Sequence, residues 1–369
     1  MKNENKLKPL AYGIYFGIAV CFVIIRMLSA FNVFSGLGAW ANVVFTIVVQ
    51  VLLLFGASVF LFSFVSKNKV KDTLTFYGYR KITGKTVILC FLMGICVFFL
   101  NVFVSSFFSS FLGLFGYKSG SSSLPSSYPI WLLIVNLILT AVLPAVCEET
   151  VHRGMLLNTK MGKNYKWSIV ISSIMFGLLH MNIDQFFYAT LIGLFLGYIT
   201  FNTKTIYPAI IIHFSNNALS VLLTYSNVRG TSFSAIFANI SAILSNNIIL
   251  GIVFIILLML VIAYFLMRLT HTMFIVNATS QIMLNKDALD KFIQRETFFS
   301  ELRELNGEAP SFLNNQKQII IRSDDLVKDL FNIKDIQHKQ DVLSRIFMWL
   351  SIILMSAVTI FTFVWGILW

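Results

Sequence analysis

Stretches of about twenty apolar residues recur along this chain, and nothing constrains its fold more tightly. A helix rises 1.5 Å per residue, so such a stretch crosses the roughly 30 Å hydrocarbon layer with its backbone groups bonded internally. The stretches lie at 10–32, 39–65, 86–115, 129–147, 206–226, 247–267 and 346–368, with two shorter ones at 167–182 and 185–202. The expected fold is all-α: a polytopic membrane helical bundle of about eight core transmembrane helices plus one C-terminal helix. Composition agrees, because 57% apolar and 12% charged residues leave too little polar surface for a water-soluble globule. The first stretch is longer than a signal-peptide core and lacks a small-residue cleavage site, so it reads as an anchor.

The formal charge of +12 raises the question of a nucleic-acid partner, and its distribution answers it. Of 28 basic residues, 25 fall in the N-terminal segment and in alternate loops on one expected side. These are Lys2, Lys6 and Lys8, then the groups at 67–85 and 153–166, then Lys204, then eleven from Arg268 to Arg345. Only Lys118 and Arg229 fall opposite, and Arg26 lies inside a segment. This positive-inside pattern implies a multi-pass protein of the cell membrane with its N-terminus cytoplasmic and its C-terminus outside. No nucleic acid is expected as a partner.

Three regions follow. Residues 1–267 read as a membrane-embedded core, in which GYKSGSSSLPSSYP (116–129) is an outer loop and 231–246 an interfacial amphipathic segment. Residues 268–345 hold eleven acidic and eleven basic residues and read as a cytoplasmic charged helical region, with an amphipathic helix over 286–305. Residues 346–369 are a C-terminal transmembrane helix. Cys21, Cys90, Cys96 and Cys147 lie within or at the edge of apolar stretches without a CxxC pair, which points to small buried hydrophobes rather than a disulfide framework or zinc site.

Ionisable residues inside the apolar stretches carry the functional signal. A charge in hydrocarbon costs at least about 2.5–3.5 kcal/mol, so the adjacent Glu148 and Glu149 at the end of an apolar helix need a reason to be there. The competing account is that the pair marks the membrane surface. In CEETVHRG, Arg153 follows Glu149 by four residues and His152 follows Glu148 by four, so each can pair across one turn. Glu149 with Arg153 reads as a structural ion pair, leaving Glu148 about 100° away around the helix. His180 and His213 lie in strongly apolar sequence, and Asn217 shares a helix face with His213, whereas His271 and His338 read as solvated.

These residues resemble the motifs of the CAAX-protease and bacteriocin-processing (CPBP, or Abi) family of intramembrane proteases, which carry EExxxR, FxxxH and HxxxN in order on successive core helices. Here they are Glu148-Glu149-x-x-x-Arg153, Phe176-x-x-x-His180 and His213-x-x-x-Asn217. The likeness covers 129–226 directly and extends by topology over 10–267. His152 departs from it, since many members have an aromatic residue before the arginine. The resemblance implies a peptide-bond hydrolase of the membrane. Members trim prenylated CaaX tails, and bacterial relatives are linked to pheromone or bacteriocin maturation.

The chemistry suits these side chains. Peptide hydrolysis needs a water deprotonated, a carbonyl polarised and a leaving amine protonated. Glu148 with His180 can serve the water, and His213 with Asn217 can donate to the oxyanion, as the resemblance also implies. A zinc version would use Glu148, His180 and His213 as ligands with one open position. The sequence lacks HExxH, and the version without cofactor is favoured. The expected activity is thus an intramembrane endopeptidase acting on a membrane-associated peptide or lipidated protein. The alternative is a non-catalytic scaffold that regulates a sensor kinase or cell-wall enzyme through 268–345. An ion-coupled transporter ranks last, because matching broken helices are absent. Depth sets a condition: a fully spanning 167–182 would separate His180 from Glu148 by about 20 Å, so the 167–202 pair is expected to be a shallow or strongly tilted hairpin, with the site in the cytoplasmic half.

Overall fold

The computed structural model describes residues 4–31, 33, 36, 39–118, 128–160, 165–236, 248–283 and 342–368. Every regular element among the described residues is a helix. Helix α1 is Glu4–Ala30. Helix α2 is the continuous run Ala39–Ile47, Val48–Leu61 and Phe62–Ser66, π-helical in its middle part. The short α3 is Val70–Phe76 and the long α4 is Gly84–Gly113. Helix α5 runs from Ile130 to Lys160, with π-helical stretches at Leu137–Val142 and Thr150–Leu157. Then come α6 (Tyr165–Leu179), α7 (Ile183–Thr203), α8 (Tyr207–Arg229), α9 (Ile248–Met283) and α10 (Val342–Leu368).

Each of the nine apolar stretches corresponds to a helix, and among the described residues seven helices are long and apolar enough to cross a bilayer: α1, α2, α4, α5, α7, α9 and α10. The protein is a polytopic helical bundle. Helix α6 has 15 residues. Helix α8 has 23 residues but is diluted by His213, Ser215, Asn216 and Asn217.

Helix α5 departs from expectation where it matters most. It does not end at the glutamates but continues past them to Lys160, and residues 148–157 are all buried. The polar letters after Glu149 are absorbed internally. Arg153 pairs with Glu149, and the hydroxyls of Thr150 and Thr159 donate to the carbonyls of Val146 and Met155 at 2.6 and 2.9 Å. Glu148 and Glu149 therefore do not stand at a helix end, where the competing account placed them.

Helices α6 and α7 form a close hairpin. Met181 takes a left-handed conformation (φ 48°) in the turn, and the Asn182 side chain accepts from the Asp184 N–H at 2.8 Å to start α7. Small residues let the two helices approach. A Cβ on Gly177 would stand 2.1 Å from Thr190 Oγ1 and 2.8 Å from the Phe186 carbonyl oxygen, and Gly193 and Gly197 face Ser173 and Ile169. Of the two geometries expected, shallow or strongly tilted, the shallow one does not hold: α7 has 21 residues, and near its tip Asp184 accepts from the Tyr117 hydroxyl at 2.9 Å, beyond the far end of α4. His180 reaches the glutamates because α5 runs on past them, placing them well inside the bundle.

Two apolar clusters flank α5. One gathers Tyr15, Ile18, Leu54, Phe62, Met155, Met175 and Met355 from α1, α2, α5, α6 and α10. The other gathers Cys90, Met93, Leu196, Ile212 and Met273 from α4, α7, α8 and α9. Met273 shows that α9 runs as one helix through position 268, where the composition turns polar, and Asn277 donates to the Thr203 carbonyl at 3.3 Å. The basic loops on either side of α3 and after α7 lie at one end of the bundle, since Ile206 N–H donates to Gly78 O at 2.9 Å and Thr205 Oγ1 to Arg80 O at 2.9 Å. The four cysteines are free thiols. The amphipathic segment 286–305, the rest of 284–341, residues 237–246 and residues 119–127 lie outside the described residues.

Candidate active site

Glu149 is fully buried and doubly engaged. Its Oε1 accepts from Arg153 Nη1 at 3.1 Å and lies 2.9 Å from His213 Nδ1. Arg153, also fully buried, donates from Nη2 to the Gly193 carbonyl at 2.9 Å and sits 4.5 Å above the ring of Phe176. The expected ion pair is therefore present and larger than the sequence suggested, because it spans α5, α7 and α8. Gly193 is required by this approach: a Cβ there would stand 3.3 Å from Arg153 Nη2 and 3.1 Å from Ser173 Cβ.

Glu148, on the neighbouring side of α5, meets none of these partners. It is 6% exposed, its Oε2 is buried, and neither carboxylate oxygen is hydrogen-bonded by a described residue. Its backbone carbonyl instead accepts from His152 Nδ1 at 2.8 Å. The expected approach of His152 thus occurs at the backbone rather than at the carboxylate. The His152 ring stands edge-on to Tyr15 and Phe176, with centroids 5.6 and 5.1 Å away, and Tyr15 donates its hydroxyl to the Met175 carbonyl at 2.8 Å. This bracket joins α1, α5 and α6 where α5 turns π-helical, a distortion often found at functional sites.

His180 lies in the turn after α6, half-buried, with its ring edge-on to Phe176 at 5.4 Å. Neither ring nitrogen bonds a described residue, and the Glu148 charge acts on it electrostatically, as it does on Tyr188 of α7. Phe176 also meets His213 at 5.7 Å, so one aromatic ring touches His152, Arg153, His180 and His213.

On α8, His213 has Nδ1 committed to Glu149, leaving Nε2 as the nitrogen able to face a ligand. Asn217, four residues on, donates from Nδ2 to the Thr140 carbonyl at 3.1 Å, and no hydrogen bond joins it to Glu148 or His180. Among the described residues no three His, Cys, Asp or Glu side chains are grouped to hold a metal ion.

Four contributors were missed in the sequence: Tyr15, Gly193, Tyr188 and Asn216, whose Nδ2 donates to Asn217 Oδ1 at 2.9 Å. Two had a visible signal. Asn216 stands beside Asn217 in HFSNN, and Gly193 and Gly197 have the four-residue spacing of close helix contacts. Tyr15 and Tyr188 had none, because an aromatic residue in an apolar stretch reads as packing.

A carboxylate pair on α5, the imidazoles of His180 and His213 and the amides of α8 in a polytopic membrane bundle define a membrane-embedded ionisable centre. Residues 129–219 match the model of the family described as type II CAAX prenyl endopeptidase Rce1-like, a match that takes in α5, α6, α7 and the first half of α8. It supports membership in the CAAX-protease family, whose activity at family level is that of an endopeptidase. No curated protein and no solved structure matches the chain.

Proposed function

We propose that this protein is an intramembrane endopeptidase that hydrolyses a membrane-associated peptide or lipidated protein with a water activated by Glu148. One observation carries the reading: among the described residues none hydrogen-bonds the buried Glu148 carboxylate or the ring nitrogens of His180 beside it, while adjacent Glu149 has its Oε1 shared by Arg153 and His213. A carboxylate left this way costs folding energy and is retained where chemistry uses it.

Glu148 takes a proton from the water, with His180 orienting it, and the hydroxide adds to the scissile carbonyl carbon. His213 Nε2, in the imidazole's protonated form, and the second N–H of the Asn217 amide donate to the oxyanion. The C–N bond breaks as the proton held by Glu148 passes to the leaving nitrogen. Glu149 and Arg153 hold α5, α7 and α8 in register. No metal takes part in this sequence of steps. The family's description favours a prenylated C-terminal CAAX peptide as the substrate class. The N-terminus is cytoplasmic and the C-terminus outside, which places the basic loops around α3 and after α7 in the cytoplasm. The region 268–345 is a cytoplasmic candidate for partner binding, outside the catalytic reading.

The test is cleavage of a fluorogenic farnesylated CAAX peptide by the protein reconstituted in liposomes. Glu148→Ala and His180→Ala are each expected to abolish cleavage that the wild type shows; full activity in both variants overturns the reading.

A further inference from the structure

Behind Asn217 lies a row of polar side chains that the hydrolytic reading does not use. Ser105 Oγ donates to Asn101 Oδ1 at 3.2 Å, and Asn101 Nδ2 donates to Asn216 Oδ1 at 3.3 Å. Asn216 Nδ2 donates to Asn217 Oδ1 at 2.9 Å, and Asn217 Nδ2 donates to the Thr140 carbonyl at 3.1 Å. The row joins α4, α8 and α5. Asn216 is 4% exposed.

Its polarity follows from one atom. A backbone carbonyl can only accept, so the nitrogen end of the Asn217 amide must face Thr140 and its oxygen must face Asn216. Asn216 then has to present its nitrogen to Asn217 and its oxygen to Asn101, and Asn101 its nitrogen to Asn216 and its oxygen to the Ser105 hydroxyl. Three amides that could each sit either way around are thus fixed head to tail. Successive amide bonds of this kind polarise one another in a low-dielectric interior. The consequence falls on Asn217: its oxygen is occupied, one N–H is spent on Thr140, and what it retains is a second N–H. Flipped, the same side chain would present a carbonyl oxygen to a developing negative charge.

We infer that Asn101 and Asn216 are positioning residues that set the amide of Asn217 as a hydrogen-bond donor. The inference rests on the endopeptidase reading, in which Asn217 serves the oxyanion, and it places a determinant of the site on α4, a helix outside the family match.

A double-mutant cycle on cleavage of the farnesylated CAAX peptide tests it. Asn216→Leu and Asn101→Leu are each expected to lower kcat about five- to tenfold, the worth of one neutral hydrogen bond, with KM unchanged. In an Asn217→Ala background neither substitution lowers kcat further, because each acts only through that amide. Losses that multiply in the Asn217→Ala background, or losses confined to KM, overturn the inference. The hydrogen-bonded row has its own readout: detergent unfolding of Asn101→Leu, Asn216→Leu and the double variant shows non-additive losses if the row exists and additive ones if it does not. Cleavage that survives Glu148→Ala overturns the endopeptidase reading and the positioning role with it, while the unfolding cycle still decides the row.

Discussion

Glu148 and Glu149 are adjacent in sequence and both buried in α5, yet the helices around them treat them in opposite ways. On the Glu149 side a guanidinium and an imidazole share Oε1, and Arg153 extends this ion cluster to a glycine carbonyl of α7. The Glu148 side holds a carboxylate and an imidazole that no described residue hydrogen-bonds, and a phenylalanine ring shared with the cluster. The difference separates two uses of the same residue type. A paired charge locks helices together, and its value lies in what happens when one partner is lost. An unpaired one weakens the fold, and its presence points to reactivity.

The comparison can be broken from either side. The largest expected effect on the fold is that of Glu149→Gln, which leaves Arg153 buried without its counter-charge. Equilibrium unfolding in detergent should show a loss of about 3–5 kcal/mol. A near-neutral result would mean that the cluster is not what joins α5, α7 and α8. Next, Asn217→Ala should reduce kcat for the CAAX peptide by about 10²–10³, the usual cost of removing an oxyanion donor, equivalent to about 2.7–4 kcal/mol. Its stability should change far less. Smaller again, Gly177→Ala inserts a Cβ against the Phe186 backbone and should cost about 1–3 kcal/mol by forcing α6 from α7. Because Phe176 and His180 flank that position, activity should fall with it, and intact activity would detach the hairpin from the site.

The smallest effect calibrates burial at the ends of the long α4. Burial pushes the phenols of Tyr79, between α3 and α4, and Tyr117, after α4, up to about 12. An unfolded phenol ionises near pH 10, so the stability these groups contribute is complete below about pH 10 and is lost as pH rises towards 12. Alkaline unfolding curves of Tyr79→Phe and Tyr117→Phe should be flatter over that window than the wild type, and an unchanged slope would show that the phenols are solvated.

Much of this was legible in the sequence. The nine apolar stretches became helices because hydrocarbon leaves a helix few alternatives. The Glu149–Arg153 pair was readable because a four-residue spacing fixes which side chains share a face. What escaped depends on partners far along the chain. The end of α5 was placed too early because Arg153 and His152 look like water-facing residues until Glu149, Gly193 and the Glu148 carbonyl are known to meet them. The hairpin was expected to be shallow or strongly tilted for the same reason, since its depth was judged against a helix end that does not exist. The commitment of His213 to Glu149 was equally hidden, because spacing says nothing about which of two neighbouring carboxylates a distant helix will face.

The most direct test of the central claim is Glu148→Gln, an isosteric change that removes the charge and keeps the shape, with cleavage and unfolding followed on the same preparation. The account predicts a loss of cleavage of about 10²–10⁴ with stability unchanged or raised, because no ion pair is broken. Retained cleavage, or a loss of stability as large as that of Glu149→Gln, would contradict it.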